Sequence, residues 1–202
     1  MHCRWRCVQA PAVLALLSVA SGPAMALDEA RGEKAVLQAC QKDLCHLVTS
    51  KAPRKGQFTC SLTKTWRKKD LKEGASVGKT SWFFGDAQCE VKLTLSRSAI
   101  ISAVKDGKST LQFPEHIVNC VIDSKKEASK VTAILAPKTE FEGGQAKRIW
   151  INLKKFKGPV LMQGLAYTAA GMEDKVGLFR KKLVGAVNKL IHEQCPKVAA
   201  GK

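Results

Sequence analysis

Cysteine placement limits the fold of this chain more than any other feature of its sequence. Six of the eight cysteines follow residue 26, namely Cys40, Cys45, Cys60, Cys89, Cys120 and Cys195. An even number of cysteines in an exported chain is typical of a disulfide framework, and six allow fifteen pairings. The alternative is a metal site, but no Cys-x-x-Cys pair occurs and the histidines show no ligand spacing. We therefore predict three disulfides, with no metal and no cofactor.

The first 26 residues have the composition of a cleavable signal peptide. Arg4 and Arg6 precede a short apolar core at residues 12–20, and Ala24-Met25-Ala26 is the small-x-small pattern that signal peptidase cleaves. The core has nine residues, whereas a membrane-spanning helix needs roughly 20. We expect cleavage after Ala26, a mature chain without a transmembrane segment, and a periplasmic or secreted location.

Hydrophobic periodicity predicts a single α+β domain over residues 27–202. Apolar residues at steps of three and four indicate helices from Asp28 to Val48 and from Val176 to Leu190. Alternating apolar and polar residues from Gln57 to Trp66 and from Asp86 to Leu95 indicate half-buried strands. This order predicts a curved antiparallel β-sheet packed against N-terminal and C-terminal amphipathic helices and linked by disulfides.

The middle of the chain is predicted to contain a short helix and a hairpin. Ser96 is placed to cap a helix from Arg97 to Asp106. Gly143-Gly144 is a typical hairpin turn, with arms at residues 130–141 and 147–157.

Element positions favour particular cysteine pairs. Cys40 and Cys45 are five residues apart on one predicted helix, which is too far for a direct bridge. Cys60 and Cys89 lie on the apolar faces of two predicted strands, which favours their pairing. Cys195 lies near the end of the last predicted helix, and we expect it to bond to Cys40 or Cys45.

The sequence contains no motif that identifies a catalytic site. Residues 73–80 resemble a phosphate-binding loop, but Glu73 replaces its first glycine. Gly74, Ser76 and Gly78 match the Gly-x-Ser-x-Gly nucleophile elbow, but charged residues precede them where that motif needs a buried strand. A basic surface loop is the simpler interpretation. A disulfide-stapled hydrolase with unidentified catalytic residues is an alternative to a non-enzymatic protein.

Positive charge is concentrated in two regions. The chain has a net charge of +17, and loss of the two leader arginines leaves +15. Residues 51–80 hold a net charge of +7 and include Arg67, Lys68 and Lys69. On the predicted strand from Arg148 to Phe156, one face carries Arg148, Trp150, Lys154 and Phe156. An aromatic and basic face can bind anionic head groups, although the two rings could instead pack under a helix.

An uncharged segment follows this strand, from Gly158 to Gly171. Two interpretations are open. The segment is a buried connector to the last helix, or it is an apolar lip around a ligand cavity, with Met162 and Tyr167 at the entrance.

These patterns predict an exported, non-enzymatic binding protein for an anionic or amphiphilic envelope partner such as a lipid. A protein–protein interaction or inhibitor module with an acidic protein partner is a further alternative, and no nucleic-acid-binding motif occurs. The candidate binding residues are Arg67, Lys68, Lys69, Arg148, Trp150, Lys154, Phe156, Met162 and Tyr167.

Overall fold

The structure is a computed structural model. It describes residues 27–49, 54–77, 81–105, 107–124, 127–177 and 180–200. The predicted signal peptide lies outside these residues.

The described residues have an α+β fold, as predicted. The helices are α1 (Glu33–Val48), α2 (Lys68–Val77), α3 (Arg97–Ala103), α4 (Val160–Val176), α5 (Arg180–Lys189) and α6 (Cys195–Ala199), and a π-helical turn (Leu190–Gln194) joins the last two. The strands are β1 (Gln57–Trp66), β2 (Ala87–Ser96), β3 (Lys108–Gln112), β4 (His116–Ile122), β5 (Ser129–Leu135), β6 (Lys138–Glu142), β7 (Gln145–Trp150) and β8 (Leu153–Lys157). Within the described ranges, no helix is long and apolar enough to cross a membrane.

The strands form two sheets, whereas the sequence pattern predicts one. A five-stranded sheet has the order β1-β2-β4-β5-β8, and a three-stranded sheet has the order β3-β6-β7. The hairpin around Gly143-Gly144 links them, because each of its arms is divided between the sheets. The first arm changes sheet at Ala136-Pro137 and the second at Ile151-Asn152.

The break in the second arm has a local cause. Asn152 has a φ of 48°, a left-handed conformation that interrupts a strand. The Asp174 carboxylate of α4 accepts hydrogen bonds from the N–H groups of Ile151 (2.7 Å) and Asn152 (3.0 Å). These two N–H groups therefore donate to a side chain, whereas in a continuous strand they would donate to the neighbouring strand. The predicted unbroken strand from Arg148 to Phe156 is wrong for this reason.

Two hydrophobic clusters cover one face of the five-stranded sheet. The first packs α1 and α3 on β1 and β2, and its buried members include Leu47, Phe58, Leu95 and Ile100. The second packs α4 on β2, β4 and β5 through Ala87, Ile122, Val131 and Met162. The register places both sets on one face, because Phe58 stands opposite Leu95 and Ala87 opposite Ile122.

Three disulfides join the described cysteines, as Cys40–Cys60, Cys45–Cys195 and Cys89–Cys120. The expected bridge from Cys195 to the first helix is confirmed. The predicted Cys60–Cys89 bridge is wrong, because Cys60 stands opposite Leu93 and Cys89 opposite Lys64 in the β1–β2 register. Cys89 instead faces Cys120 across β2 and β4. Three disulfides indicate that the protein folds in an oxidising, extracytoplasmic environment.

Four local predictions had different outcomes. The Ser96 cap is confirmed, since its hydroxyl accepts a hydrogen bond from the Ala99 N–H at 3.5 Å. The predicted loop over residues 73–80 is wrong up to residue 77, because that part belongs to α2. The predicted last helix starts too early, because Val176 ends α4 and Gly177 has a φ of 71°. The uncharged segment, predicted as a buried connector or as an apolar lip, is mostly helical, because residues 160–171 belong to α4.

Candidate binding site

An apolar cavity of about 200 Å³ lies between α4 and the five-stranded sheet. Helix α2, the segment 81–86 and β8 complete its walls. It is lined by Ala75, Ser81, Trp82, Phe84, Ile122, Phe156, Met162, Leu165, Ala166, Thr168 and Ala169. Small side chains on α4 leave room for the cavity, and aromatic rings and Met162 form much of its lining.

Backbone hydrogen bonds hold the aromatic wall in place. The Trp82 indole N–H donates to the Gly85 carbonyl at 2.8 Å, and the Gly85 N–H donates to the Asp123 carbonyl at 2.7 Å. The rings of Trp82 and Phe84 pack edge to face, with centroids 5.2 Å apart. A Cβ at Gly85 would overlap the Asp123 side chain, so only glycine fits this close approach.

The opposite wall is fixed where β8 turns into α4. The Phe156 N–H donates to the Tyr167 hydroxyl at 3.0 Å, and the Gln163 amide donates to the Gly158 carbonyl at 3.2 Å. A Cβ at Gly158 would lie 2.7 Å from Cγ1 of the buried Val131, so this turn also requires glycine. These contacts orient α4 so that Met162 and Ala166 face the cavity.

Two basic side chains of the region 51–80 are bound to buried carboxylates. Arg67 Nη1 lies 2.9 Å from the Asp86 carboxylate, which also accepts the Lys68 N–H at 2.8 Å. Burial alone would raise the pKa of Asp86, but these hydrogen bonds and the charge of Arg67 lower it below its ordinary value. Lys64 Nζ likewise lies 2.6 Å from the carboxylate of the buried Glu33. Arg67 is therefore a structural residue as well as a candidate ligand group.

The candidate residues from the sequence are distributed over several elements of the fold. Phe156 and Met162 line the cavity, and Tyr167 supports it from outside. Lys68 and Lys69 lie on α2, and Lys154 is exposed on β8.

Arg148 and Trp150 belong to the three-stranded sheet and not to the strand that carries Lys154 and Phe156. Lys138 Nζ lies 3.9 Å from the centroid of the Trp150 ring, and the Arg148 guanidinium carbon lies 5.3 Å from it. The ring is thus occupied by two cations of its own chain. The predicted basic and aromatic face is divided by the break at Asn152.

Sequence reasoning missed Trp82, Phe84 and Lys72. The run Trp82-Phe83-Phe84 was a usable signal, because three adjacent aromatic residues are unusual in a chain with 6% aromatic residues. Lys72 is exposed and lies three residues before Ala75 on α2. Side chains at that spacing on a helix have Cβ atoms about 5–6 Å apart, so Lys72 lies beside the cavity wall.

The nucleophile-elbow match and the buried histidine His116 bear on the hydrolase alternative. Gly74 and Ser76 lie inside α2, whereas a nucleophile elbow needs a turn between a strand and a helix. His116 is buried; its Nε2 accepts the Thr94 N–H at 3.0 Å, which leaves Nδ1 to donate to the Pro114 carbonyl at 2.7 Å. No group of three or more metal-ligating side chains occurs among the described residues.

A second apolar space is an open groove of about 440 Å³ between α1, α5 and the sheet. Leu44, Leu93 and Ala186 are among its lining residues. The Gln41 amide donates to the Gln194 side chain at 2.8 Å beside this groove. The groove provides an internal comparison for the cavity, because it is apolar but lies at the other end of the same sheet face.

No protein-family model, curated protein or solved structure matches the chain.

Proposed function

We propose that this domain is an exported, non-enzymatic binding protein for amphiphiles with an anionic head group. The proposal rests on the apolar cavity beneath α4. Phe156 and Met162, two of the candidate residues identified in the sequence, help to line it. Ligand sites are typically concave and mainly apolar, with a few polar groups that orient the ligand. In this cavity Ser81 and Thr168 are the polar lining residues.

The volume limits the part of the ligand that enters. An apolar cavity of about 150 Å³ holds one benzene molecule, so about 200 Å³ accommodates a ring or a short alkyl segment. It does not hold both chains of a phospholipid. Burial of five or six methylene groups contributes about 4–5 kcal/mol, which corresponds to a dissociation constant near or below 1 mM.

Charge near the cavity favours an anionic head group. Lys72 lies one helical turn from the lining residue Ala75, and Lys68 and Lys69 are on the same helix. Lysine is a point-charge donor suited to a sulfate, phosphate or carboxylate. A ligand with its apolar end under α4 would therefore present its head group beside α2.

The central test is binding of octyl sulfate, measured by isothermal titration calorimetry. Ala166→Phe should weaken binding at least tenfold, because the larger ring occupies the cavity. Ala186→Phe fills the groove between α1 and α5 instead, and it should leave the affinity within twofold of the wild type. Loss of binding in Ala186→Phe, with normal binding in Ala166→Phe, would move the site to the groove and contradict the proposal.

The head-group assignment is tested in the same titration. Lys72→Gln should weaken binding of octyl sulfate but not of the neutral octyl glucoside, whereas Lys181→Gln on α5 should change neither. Equal affinity of the wild type for the two detergents would contradict an anionic preference. If no detergent binds, the alternative of a protein–protein interaction module with an acidic partner would be favoured.

Export is tested by the intact mass of the protein recovered from outside the cytoplasm. We expect a chain that starts at Leu27, because Ala24-Met25-Ala26 follows a short apolar core. Replacing Ala24 and Ala26 by bulky residues should cause precursor of full length to accumulate. Recovery of an uncleaved chain from the unmodified sequence would contradict this part of the proposal.

A further inference from the structure

The cavity is bordered by the most exposed large apolar side chains of the described residues. Val160 is 85% exposed, Phe83 is 66% exposed and Leu161 is 65% exposed. We refer to these three residues as the apolar tip. Isolated exposed apolar residues are common, but several around one pocket mark a surface that meets an apolar partner.

The apolar tip and the cavity are continuous along the chain. Phe83 lies between Trp82 and Phe84, which both line the cavity. Leu161 directly precedes Met162, another lining residue. The exposed side chains are thus immediate neighbours of the walls through which a ligand would pass.

Lysines accompany the apolar tip. Lys154, Lys155 and Lys157 are exposed on β8, the strand that leads into α4. Lys157 precedes Val160 by three residues, so their Cα atoms are at most about 11 Å apart. No acidic residue occurs from Leu153 to Gly171. Apolar side chains next to these lysines complement a surface that is negatively charged outside and apolar below.

An anionic lipid bilayer has this chemistry. We infer that the apolar tip inserts into the interface of such a bilayer while the three β8 lysines contact its head groups. The inference rests on the proposed function, because the bound membrane would be the source or the destination of the amphiphile in the cavity. An anionic surface attracts each nearby lysine enough to change partitioning about fivefold, and the interaction weakens as salt screens the charges.

β8 is also an edge strand of its sheet, and lysines on edge strands prevent pairing with other chains. The two roles predict different results. If the lysines only prevent pairing, their removal should cause self-association without changing vesicle binding.

The test is flotation of the mature protein with neutral phosphatidylcholine vesicles and with vesicles that contain about one third phosphatidylglycerol. The wild type should float with the anionic vesicles only, and more strongly at low salt. Lys154→Gln/Lys155→Gln/Lys157→Gln should reduce the partition coefficient at least tenfold. The matched triple variant Lys181→Gln/Lys182→Gln/Lys189→Gln, on exposed positions of α5, should reduce it less than threefold.

The apolar contribution is tested separately. Val160→Ser/Leu161→Ser should remove the part of vesicle binding that survives at physiological salt. Val36→Ser is the control, because Val36 is 43% exposed but lies on α1. Both variants should retain the wild-type affinity for octyl sulfate, which shows that they are folded.

The outcomes separate the two proposals. A wild type that binds octyl sulfate but ignores anionic vesicles overturns the docking inference and leaves the proposed function standing. A wild type that binds anionic vesicles but no octyl sulfate supports docking and overturns the proposed function. If the β8 and α5 lysine variants lose vesicle binding equally, the assignment of binding to the β8 lysines is overturned.

Discussion

Replacing Cys45 and Cys195 together by alanine should lower the free energy of unfolding by about 2–5 kcal/mol. Both residues are fully buried, and their bond joins α1 to α6 across 150 residues of sequence. In the chain-entropy model the stabilisation increases with the length of the closed loop. For a domain of this size, the expected loss corresponds to a fall in melting temperature of about 5–20 °C.

The matched comparison is the bridge between β2 and β4. Cys89 and Cys120 are separated by 31 residues, so their removal should cost about 1.4 kcal/mol less on loop entropy alone. Urea denaturation of the two double-alanine variants measures both values. A larger loss from the Cys89–Cys120 variant would contradict the view that the first and last helices depend on their covalent link.

Replacing Glu33 by glutamine should destabilise the domain by about 1–3 kcal/mol at neutral pH. The buried carboxylate accepts hydrogen bonds from Lys64 Nζ at 2.6 Å and from the Thr65 N–H at 2.9 Å, and a neutral amide cannot serve both donors equally. The loss should be below that of a fully buried ion pair, because the Lys64 side chain is 43% exposed.

The same carboxylate predicts a dependence on pH. Burial alone would raise the pKa of Glu33, but the bonds from Lys64 and Thr65 lower it below its ordinary value of 4.5. A lowered folded-state pKa contributes stability that is fully present above the ordinary value and is lost as the pH falls through the folded value. Wild-type stability should therefore decline below about pH 4.5, and Glu33→Gln should decline less.

Glu142→Gln is the control for this experiment. Its carboxylate is 54% exposed and lies 3.3 Å from Lys108 Nζ, and exposed ion pairs contribute about 0–1 kcal/mol. Unfolding by guanidinium chloride at several pH values between 2 and 7 gives the required curves. Parallel curves for the wild type and Glu33→Gln would show that the buried carboxylate does not determine acid stability.

Regular alternation allowed the long strands to be predicted. The bounds of β1 agree with the predicted strand Gln57–Trp66, and β2 differs by one residue at each end. The bridge from Cys195 to α1 was also predictable, because the last predicted helix would otherwise end near a free thiol in an oxidising compartment. Helix α2 could have been recognised too, since Lys, Leu, Glu and Ala are strong helix formers and outweigh Gly74.

Register and tertiary closure were not predictable from local patterns. Alternation fixes which face Cys60 and Cys89 occupy, but not the four-residue offset that separates them along the β1–β2 ladder. Apolar residues continue to alternate through Ile149, Ile151 and Leu153, so the periodicity conceals the change of sheet at Asn152. The cavity combines α2, segment 81–86, β4, β8 and α4, and only Phe156 and Met162 were identified among its lining residues.

The Cys45–Cys195 bond imposes an order on biosynthesis. Cys45 is available early, but its partner is made 150 residues later, about 8–30 s at usual rates of translation. During that interval Cys40 and Cys60, which are native partners of each other, are the nearest thiols to Cys45. Premature oxidation in chain order would join Cys40 to Cys45 or Cys45 to Cys60, so native pairing requires either delayed oxidation or a disulfide isomerase. Yield in an expression host should therefore depend more on its isomerase than on its oxidase.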